Sequence, residues 1–349
     1  RRCRWEARRV RALILRGPRL MEVGDVPQPR PEPDEVLVKV AYCGISSFDL
    51  RAYRWQVDGR VRWMHHDVLG QECSGTVAML GEAVRGLEVG QAVVARPIGS
   101  CGRCFWCDHG QIALCPEHRT YTLGIGLPGG FAEYLCLPAG MARALPEGGP
   151  LQDAAFTGPL ALALRAIREA GLEAGERVVV FGAGPVGLLA IQLCSLAGAA
   201  QITVIEPISE RRRLAAELGA DRVLAPGEMT VTQLARGYPR GGPDVVIDCS
   251  GAAAASQHAV DLVRNGGRVI FLGAPAASLQ WRPEHRIRLV ASPGFVARDF
   301  DDARDLIAAG KVRVRPLITG MFPLEQAARA FQILDEDRQR RYLKFLIRC

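Results

Sequence analysis

The sequence predicts an α/β protein of two parts, a compact β domain and a doubly wound parallel sheet. One run carries most of the prediction. Arg177–Phe181 is β-branched and aromatic, breaks at Gly182-Ala183-Gly184-Pro185-Val186-Gly187, and resumes as the apolar stretch Leu188–Leu196, which reads strand, tight turn, helix. Strand patterns at 177–181, 201–205, 244–248 and 268–272 then alternate with helical ones, the signature of a parallel sheet. Before them, from Ala12 to about Pro138, short β runs are separated by glycine and proline turns.

The 349 residues suffice for two cores. The expected division is 11–155 with 293–349 in one domain and 156–292 in the other. At 48% hydrophobic and 23% charged residues the chain should fold. The sequence offers no apolar run of bilayer length and no signal-peptide pattern, so the expectation is cytoplasmic, with no membrane partner. The net charge of +7 raises a nucleic-acid reading, but only Lys39, Lys311 and Lys344 are lysines and the arginines are spread along the chain. An arginine-biased, solvated surface explains the charge better, and no nucleic acid is expected.

Taken in order, residues 1–10 are arginine-rich and read as an extension without a role in the fold. Ala12–Leu15 and Val36–Val40 read as strands, separated by a turn at Gly17-Pro18 and a proline-rich crossing from Pro27 to Pro33. Cys73–Ala78 and Gln91–Ala95 continue the β pattern. A helix at 159–170 leads into the alternating half. After about Ser292 come a helix at 301–309, a short strand at 316–318, a helix at 324–334 and the apolar run Leu343–Ile347, expected to return to the first domain.

The glycine turn has a physical reason in each glycine. Gly182 permits the tight turn, Gly184 lets backbone approach a pyrophosphate, and Gly187 lets the helix pack on the strand. The helix start, with Pro185 and Val186, offers free N–H groups and a positive dipole end. Glu206 ends the next strand 19 residues after Gly187, where a carboxylate would meet adenosine ribose hydroxyls. Its charge favours NAD over NADP, while Arg211, Arg212 and Arg213 soften that preference. Ser250-Gly251 and Leu272-Gly273, at the ends of later strands, complete the expected cofactor cradle.

Eleven cysteines in a chain of this length, four of them clustered, point to a metal in a reducing compartment rather than a disulfide framework. Cys101, Cys104, Cys107 and Cys115 form C-x2-C-x2-C-x7-C, a spacing that lets four thiolates wrap one tetrahedral zinc. A closed four-cysteine shell is structural. An iron–sulfur cluster is the competing reading of such strings.

With these strings in view, the chain from about Arg11 onward resembles the zinc-containing medium-chain dehydrogenase/reductase family, near its polyol, threonine and butanediol dehydrogenases. Gly99–Pro116, Gly129–Tyr134, Gly182–Gly187 and Asn265–Val269 carry the resemblance. It implies a GroES-like β domain, a Rossmann domain, a C-terminal return, and a dimer or tetramer. It also implies a second, catalytic zinc held by a cysteine, the histidine of a Gly-His-Glu string, and an acid or cysteine near Pro-Leu-Ala. Those positions here are Ser46, Gln71 and Gly158, and only Glu72 of the usual zinc surroundings remains. The hydroxyl that relays a proton is replaced by Phe48, and the relay histidine by Arg51.

Serine, glutamine and glycine do not supply the donors zinc prefers, so one structural zinc and no catalytic zinc are expected. Hydride transfer then needs an activated C=C, C=N or C=O in a small metabolite, with a protein group handling the proton. Tyr53 is the first candidate, followed by Ser46, Glu72, Asp49 and Arg51; an ordinary packed tyrosine and an Asp49–Arg51 pair are the plainer readings. Two alternatives stand beside this one. The first is a zinc-dependent alcohol or polyol dehydrogenase with a metal site rebuilt from Cys43, His65 or His66. The second is a non-catalytic cofactor-binding protein.

Overall fold

The computed structural model describes residues 4–57, 67–273, 278–280, 284–292 and 294–349, with side chains from residue 8 onward. The chain divides into two compact units, Arg1–Gly158 with Val296–Cys349, and Pro159–Phe295.

The first unit begins with a long antiparallel ribbon, β1 (Arg4–Gly17) and β2 (Leu20–Arg30). Residues 4–10 are therefore not an extension outside the fold: Arg4 pairs with Arg30 and Arg9 with Pro27. Pro27 and Pro29 lie within β2, not in a crossing. A strand that pairs on one side only tolerates prolines, whose missing N–H is not needed on the open edge.

β3 (Glu35–Gly44) follows, then the short helix α1 (Ser47–Tyr53), β4 (Glu72–Leu80), β5 (Ala92–Ala95), β6 (Tyr134–Pro138) and β7 (Ala142–Ala144). Leu37, Val38 and Val40 of β3 are buried where Lys39 is exposed. β3 is the organising strand. It pairs with β4, β6 and, through Leu346↔Gly44 and Ile347↔Cys43, the C-terminal strand.

The second unit is a six-stranded parallel sheet. Its strands are β8 (Arg177–Phe181), β9 (Gln201–Ile205), β10 (Arg222–Leu224), β11 (Val245–Asp248), β12 (Arg268–Phe271) and β13 (Arg288–Ala291). Their order, β10-β9-β8-β11-β12-β13, places the topological switch between β8 and β11. The four sequence-predicted strands are four of these; the short β10 and the half-exposed β13 lacked an apolar run strong enough to register. β8 and β11 are buried along both faces, as strands covered by helices on each side must be. Helix α2 (Pro185–Leu196) buries Gly187 through Cys194 without a break and is correspondingly apolar.

The chain then returns to the first unit with β14 (Ile318–Pro323), helix α3 (Ala327–Glu336) and β15 (Lys344–Arg348). β14 starts two residues later than the sequence pattern suggests, because Arg315–Leu317 closes a 3-10 turn around Pro316. Phe331 of α3 and Phe345 of β15 lie in the core that Leu13, Val38, Leu69 and Phe131 also build. Among the described residues no helix is long and apolar enough to cross a membrane.

Candidate active site, cofactor cradle and metal centre

In the second unit the glycine turn sits at the end of β8, at the topological switch. Gly182 has φ +88°, a conformation side chains resist, and a Cβ there would stand 3.1 Å from Ser250. A Cβ on Gly187 would meet the Gly182 carbonyl oxygen at 2.0 Å, so helix and strand can pack only because it is absent. Gly184 differs. It is the N-cap of α2 with φ −70°, and its Cβ would meet nothing closer than the Arg211 guanidinium at 4.0 Å. The Gly184 backbone therefore faces open space at a helix N-terminus, which is what a pyrophosphate requires.

Glu206 is 3% exposed, and both carboxylate oxygens are held by backbone donors. Ala183 N–H donates to Oε2 at 2.6 Å and Ile208 N–H to Oε1 at 3.0 Å. Each oxygen keeps a lone pair for a ribose hydroxyl. Arg212 is turned onto the Glu206 and Pro207 carbonyls and Arg213 onto Glu217, leaving Arg211 beside the glycine turn. Ser250 donates to Asp248 Oδ1 at 2.6 Å and Ser256 to Oδ2 at 2.6 Å, which fixes the end of β11 against Gly182. Leu272 and Gly273 lie just past β12, with Leu272 N–H bonded to the Asp248 carbonyl.

In the first unit the four clustered thiols converge. The Sγ atoms of Cys101, Cys104, Cys107 and Cys115 all lie within 4.8 Å of one another. Separations of 3.5 Å (Cys104–Cys107) and 3.9 Å (Cys101–Cys107) bracket the roughly 3.8 Å that zinc–thiolate bonds impose on a tetrahedron. The Ser100 hydroxyl, foremost among several hydrogen bonds, pulls Cys107 down to about 6. This donor set fits zinc. Among the described residues it is the only group of three or more histidine, cysteine or acidic side chains able to hold a metal; His65 and His66 lie outside the described residues.

Ser46, Asp49 and Glu72 are brought together between β3, α1 and β4. Ser46 is the N-cap of α1 and closes a capping box with Asp49, whose backbone N–H donates to Ser46 Oγ at 3.1 Å. The Ser46 hydroxyl in turn donates to Asp49 Oδ2 at 2.6 Å, as does Ser46 N–H at 2.8 Å. Gly70 N–H takes the other carboxylate oxygen at 3.1 Å. Asp49 is fully buried, and burial pushes it up to about 6, with the charge of Glu72 adding and the hydrogen bonds of Ser46 and Gly70 opposing. Ser46 itself is only half-buried, with its hydroxyl bonded to the buried Asp49 carboxylate.

The remaining predicted residues are placed elsewhere. The Tyr53 ring is 3% exposed and packs on Phe331 with centroids 5.4 Å apart. It shares a buried stripe of α1 with Asp49 and Ala52, a helical spacing that marks a core face. Arg51 is exposed and makes no pair with Asp49, whose oxygens are already occupied. Cys43 is fully buried in the core, and burial pushes its thiol well up. Gln71 donates its side-chain amide to the Leu123 carbonyl at 2.9 Å, and Gly158 offers only backbone. Sequence reasoning missed Lys344. Its Nζ lies 2.6 Å from Glu72 Oε2 and donates to the Ile45 carbonyl at 3.1 Å.

Residues 32–147 match the model of the alcohol dehydrogenase GroES-like domain, and residues 185–309 that of the zinc-binding dehydrogenase. The 2-dehydro-3-deoxy-L-galactonate 5-dehydrogenase of Pseudoalteromonas atlantica is 32% identical over 323 residues, 91% of this chain and 93% of its own. The chain belongs to the zinc-containing medium-chain dehydrogenase/reductase family. It is an NAD(P)-dependent oxidoreductase acting on small molecules.

Other members lie at a similar distance. The L-threonine 3-dehydrogenase of Pyrococcus furiosus is 32% identical over 321 residues, 90% of this chain and 91% of its own. A Sinorhizobium meliloti protein described as a zinc-binding dehydrogenase, solved with NADP, superposes with a TM-score of 0.89 at 31% identity, covering 98% of this chain and all of that one. Membership removes the reading as a non-catalytic cofactor-binding protein.

Proposed function

We propose that this dehydrogenase transfers a hydride to or from an activated C=C, C=N or C=O of a small metabolite without a catalytic zinc, and that Ser46 and Asp49 handle the proton. One observation carries the reading. The Ser46 hydroxyl is committed to Asp49, the Gln71 amide to Leu123, and Gly158 has no side chain, so the three positions that the family resemblance assigns to that metal offer neither thiolate nor imidazole.

The nicotinamide, when bound, supplies or takes the hydride. Glu206 receives the ribose hydroxyls, and its buried charge disfavours a 2′-phosphate, so NAD is the preferred cofactor; Arg211 beside Gly184 keeps NADP in play, as the NADP-bound relative also suggests. In the reducing direction Ser46 Oγ gives its proton to the developing anion on the substrate and recovers one from Asp49. A carboxyl pushed up to about 6 is suited to both halves of that exchange near neutrality. Glu72 and Lys344 keep the floor of the site rigid. The Cys101, Cys104, Cys107 and Cys115 thiolates would hold a structural zinc, which would steady the lobe. Among the described residues β13 ends its sheet, and such an edge suits a two-fold pairing of sheets in a homo-oligomer.

A second reading is a zinc-dependent alcohol or polyol dehydrogenase with a metal site rebuilt from Cys43, His65 or His66, in a family described as zinc-binding dehydrogenases. Zinc per chain, measured by elemental mass spectrometry on chelator-washed protein, separates the two. One equivalent, abolished by Cys104→Ser, is expected. Two equivalents would return the metal-dependent reading.

A further inference from the structure

A second site lies in the first unit, where the ends of α1 and α3 meet the turn between β1 and β2. A cavity of about 490 Å³ is lined there by Arg19, Arg54, Gln56, Asp335, Glu336 and Arg338. Asp335 bridges two of the arginines: Arg54 Nε donates to Oδ1 at 2.6 Å and Arg19 Nε to Oδ2 at 2.8 Å. Burial pushes Asp335 up, but the two guanidiniums outweigh it and hold the carboxylate below its ordinary range. Both contacts use Nε, and among the described residues the terminal NH2 groups of Arg19 and Arg54 make no other ion pair and Arg338 makes none. Three guanidiniums thus face one bridging carboxylate and the exposed Glu336.

The backbone around the cavity is also unusual. Among the described residues three non-glycine residues have positive φ: Arg19 at 57°, Trp55 at 60° and Arg340 at 50°. Arg19 lines the cavity, Trp55 sits between its lining residues Arg54 and Gln56, and Arg340 lies two residues beyond Arg338. The β1–β2 turn needs φ > 0 at position 19, where glycine or asparagine would serve without strain. Arg19 occupies that left-handed position while its side chain lines the cavity and holds Asp335.

We infer that this cavity is a binding site for a small oxyanion, a phosphate- or carboxylate-bearing molecule, gripped by the terminal guanidinium nitrogens of Arg19 and Arg54 with Arg338 closing over it. Planar guanidinium forks match two oxygens of such a group at once. The lining residues all belong to the first unit, whereas the glycine turn with Gly184 belongs to the second.

The test is titration calorimetry of inorganic phosphate into the full chain at low ionic strength, with saturating NADH filling the cofactor site. The wild type is expected to bind in the millimolar range or tighter. Arg19→Gly relieves the turn while removing one fork, so it should fold at least as well and bind phosphate at least tenfold more weakly. Arg338→Ala, at an exposed position, should weaken binding several-fold with the melting temperature unchanged. Absence of phosphate binding to the wild type would overturn the site. So would wild-type affinity in both variants, which would leave the arginines as helix-end ion pairs only.

Discussion

Lys344 Nζ lies 2.6 Å from Glu72 Oε2, with the two side chains 6% and 9% exposed, joining the last strand of the chain to the strand that carries the candidate site. The pair is packed tightly, since a Cβ on Gly44 would meet Glu72 Oε2 at 2.4 Å. Removing one partner of a buried pair leaves an uncompensated charge and costs about 3–5 kcal/mol, whereas removing both is far milder. Lys344→Met should therefore destabilise by that amount, and adding Glu72→Gln should restore most of it, as read from chemical denaturation midpoints. A double variant no more stable than Lys344→Met would show that the lysine acts by packing and not by charge.

Asp49 gives a pH dependence with a definite sign. Its folded value is raised from 3.8 to about 6, so between those values the unfolded chain has released the proton while the folded chain keeps it. Stability from this group is present below about pH 4 and falls as pH rises through 6, by about 3 kcal/mol in all. Asp49→Asn removes the titration and keeps an acceptor for Ser46. The variant should gain on the wild type between pH 4 and 6.5, measured by denaturation at each pH. Parallel curves would mean that Asp49 ionises freely in the folded protein.

Ser46 serves two roles that one substitution can separate. As an N-cap it contributes about 1 kcal/mol, and asparagine caps equally well. Asparagine cannot pass a proton. Ser46→Asn should hold the melting temperature within a degree or two while turnover drops at least tenfold and KM for NADH stays unchanged. Ser46→Ala should lose both stability and turnover. Wild-type turnover in Ser46→Asn would confine Ser46 to capping.

What the sequence made legible here is what is local in it. The glycine turn, the strand before it and Glu206 lie within one supersecondary unit, and the four cysteines within fifteen residues, so spacing alone predicts how they meet. The Glu72–Lys344 pair spans 272 residues and forms only because β15 pairs with β3; no spacing rule reaches that far. Tyr53 is a different case. Its position three and four residues from Leu50 and Asp49 already put it on one helical face, and the buried stripe Asp49, Ala52, Tyr53 follows from that period. Arg4–Val10 does not read as a strand because its residues are mostly charged, while its pairing with β2 is made by backbone.

Gly184 and Gly187 sit three residues apart in one motif yet should respond oppositely to the same substitution. A Cβ at Gly187 would overlap the Gly182 carbonyl oxygen at 2.0 Å, so Gly187→Ala must push α2 off the sheet and should destabilise the second unit by several kcal/mol. A Cβ at Gly184 meets only the Arg211 guanidinium at 4.0 Å, and φ −70° suits alanine. Gly184→Ala should therefore fold with little loss. The new methyl would project into the space where the backbone must approach a pyrophosphate. Its NADH affinity, followed by fluorescence titration, should fall at least tenfold while its melting temperature stays near that of the wild type. Unchanged affinity in Gly184→Ala would mean that the cofactor phosphates do not rest on this turn.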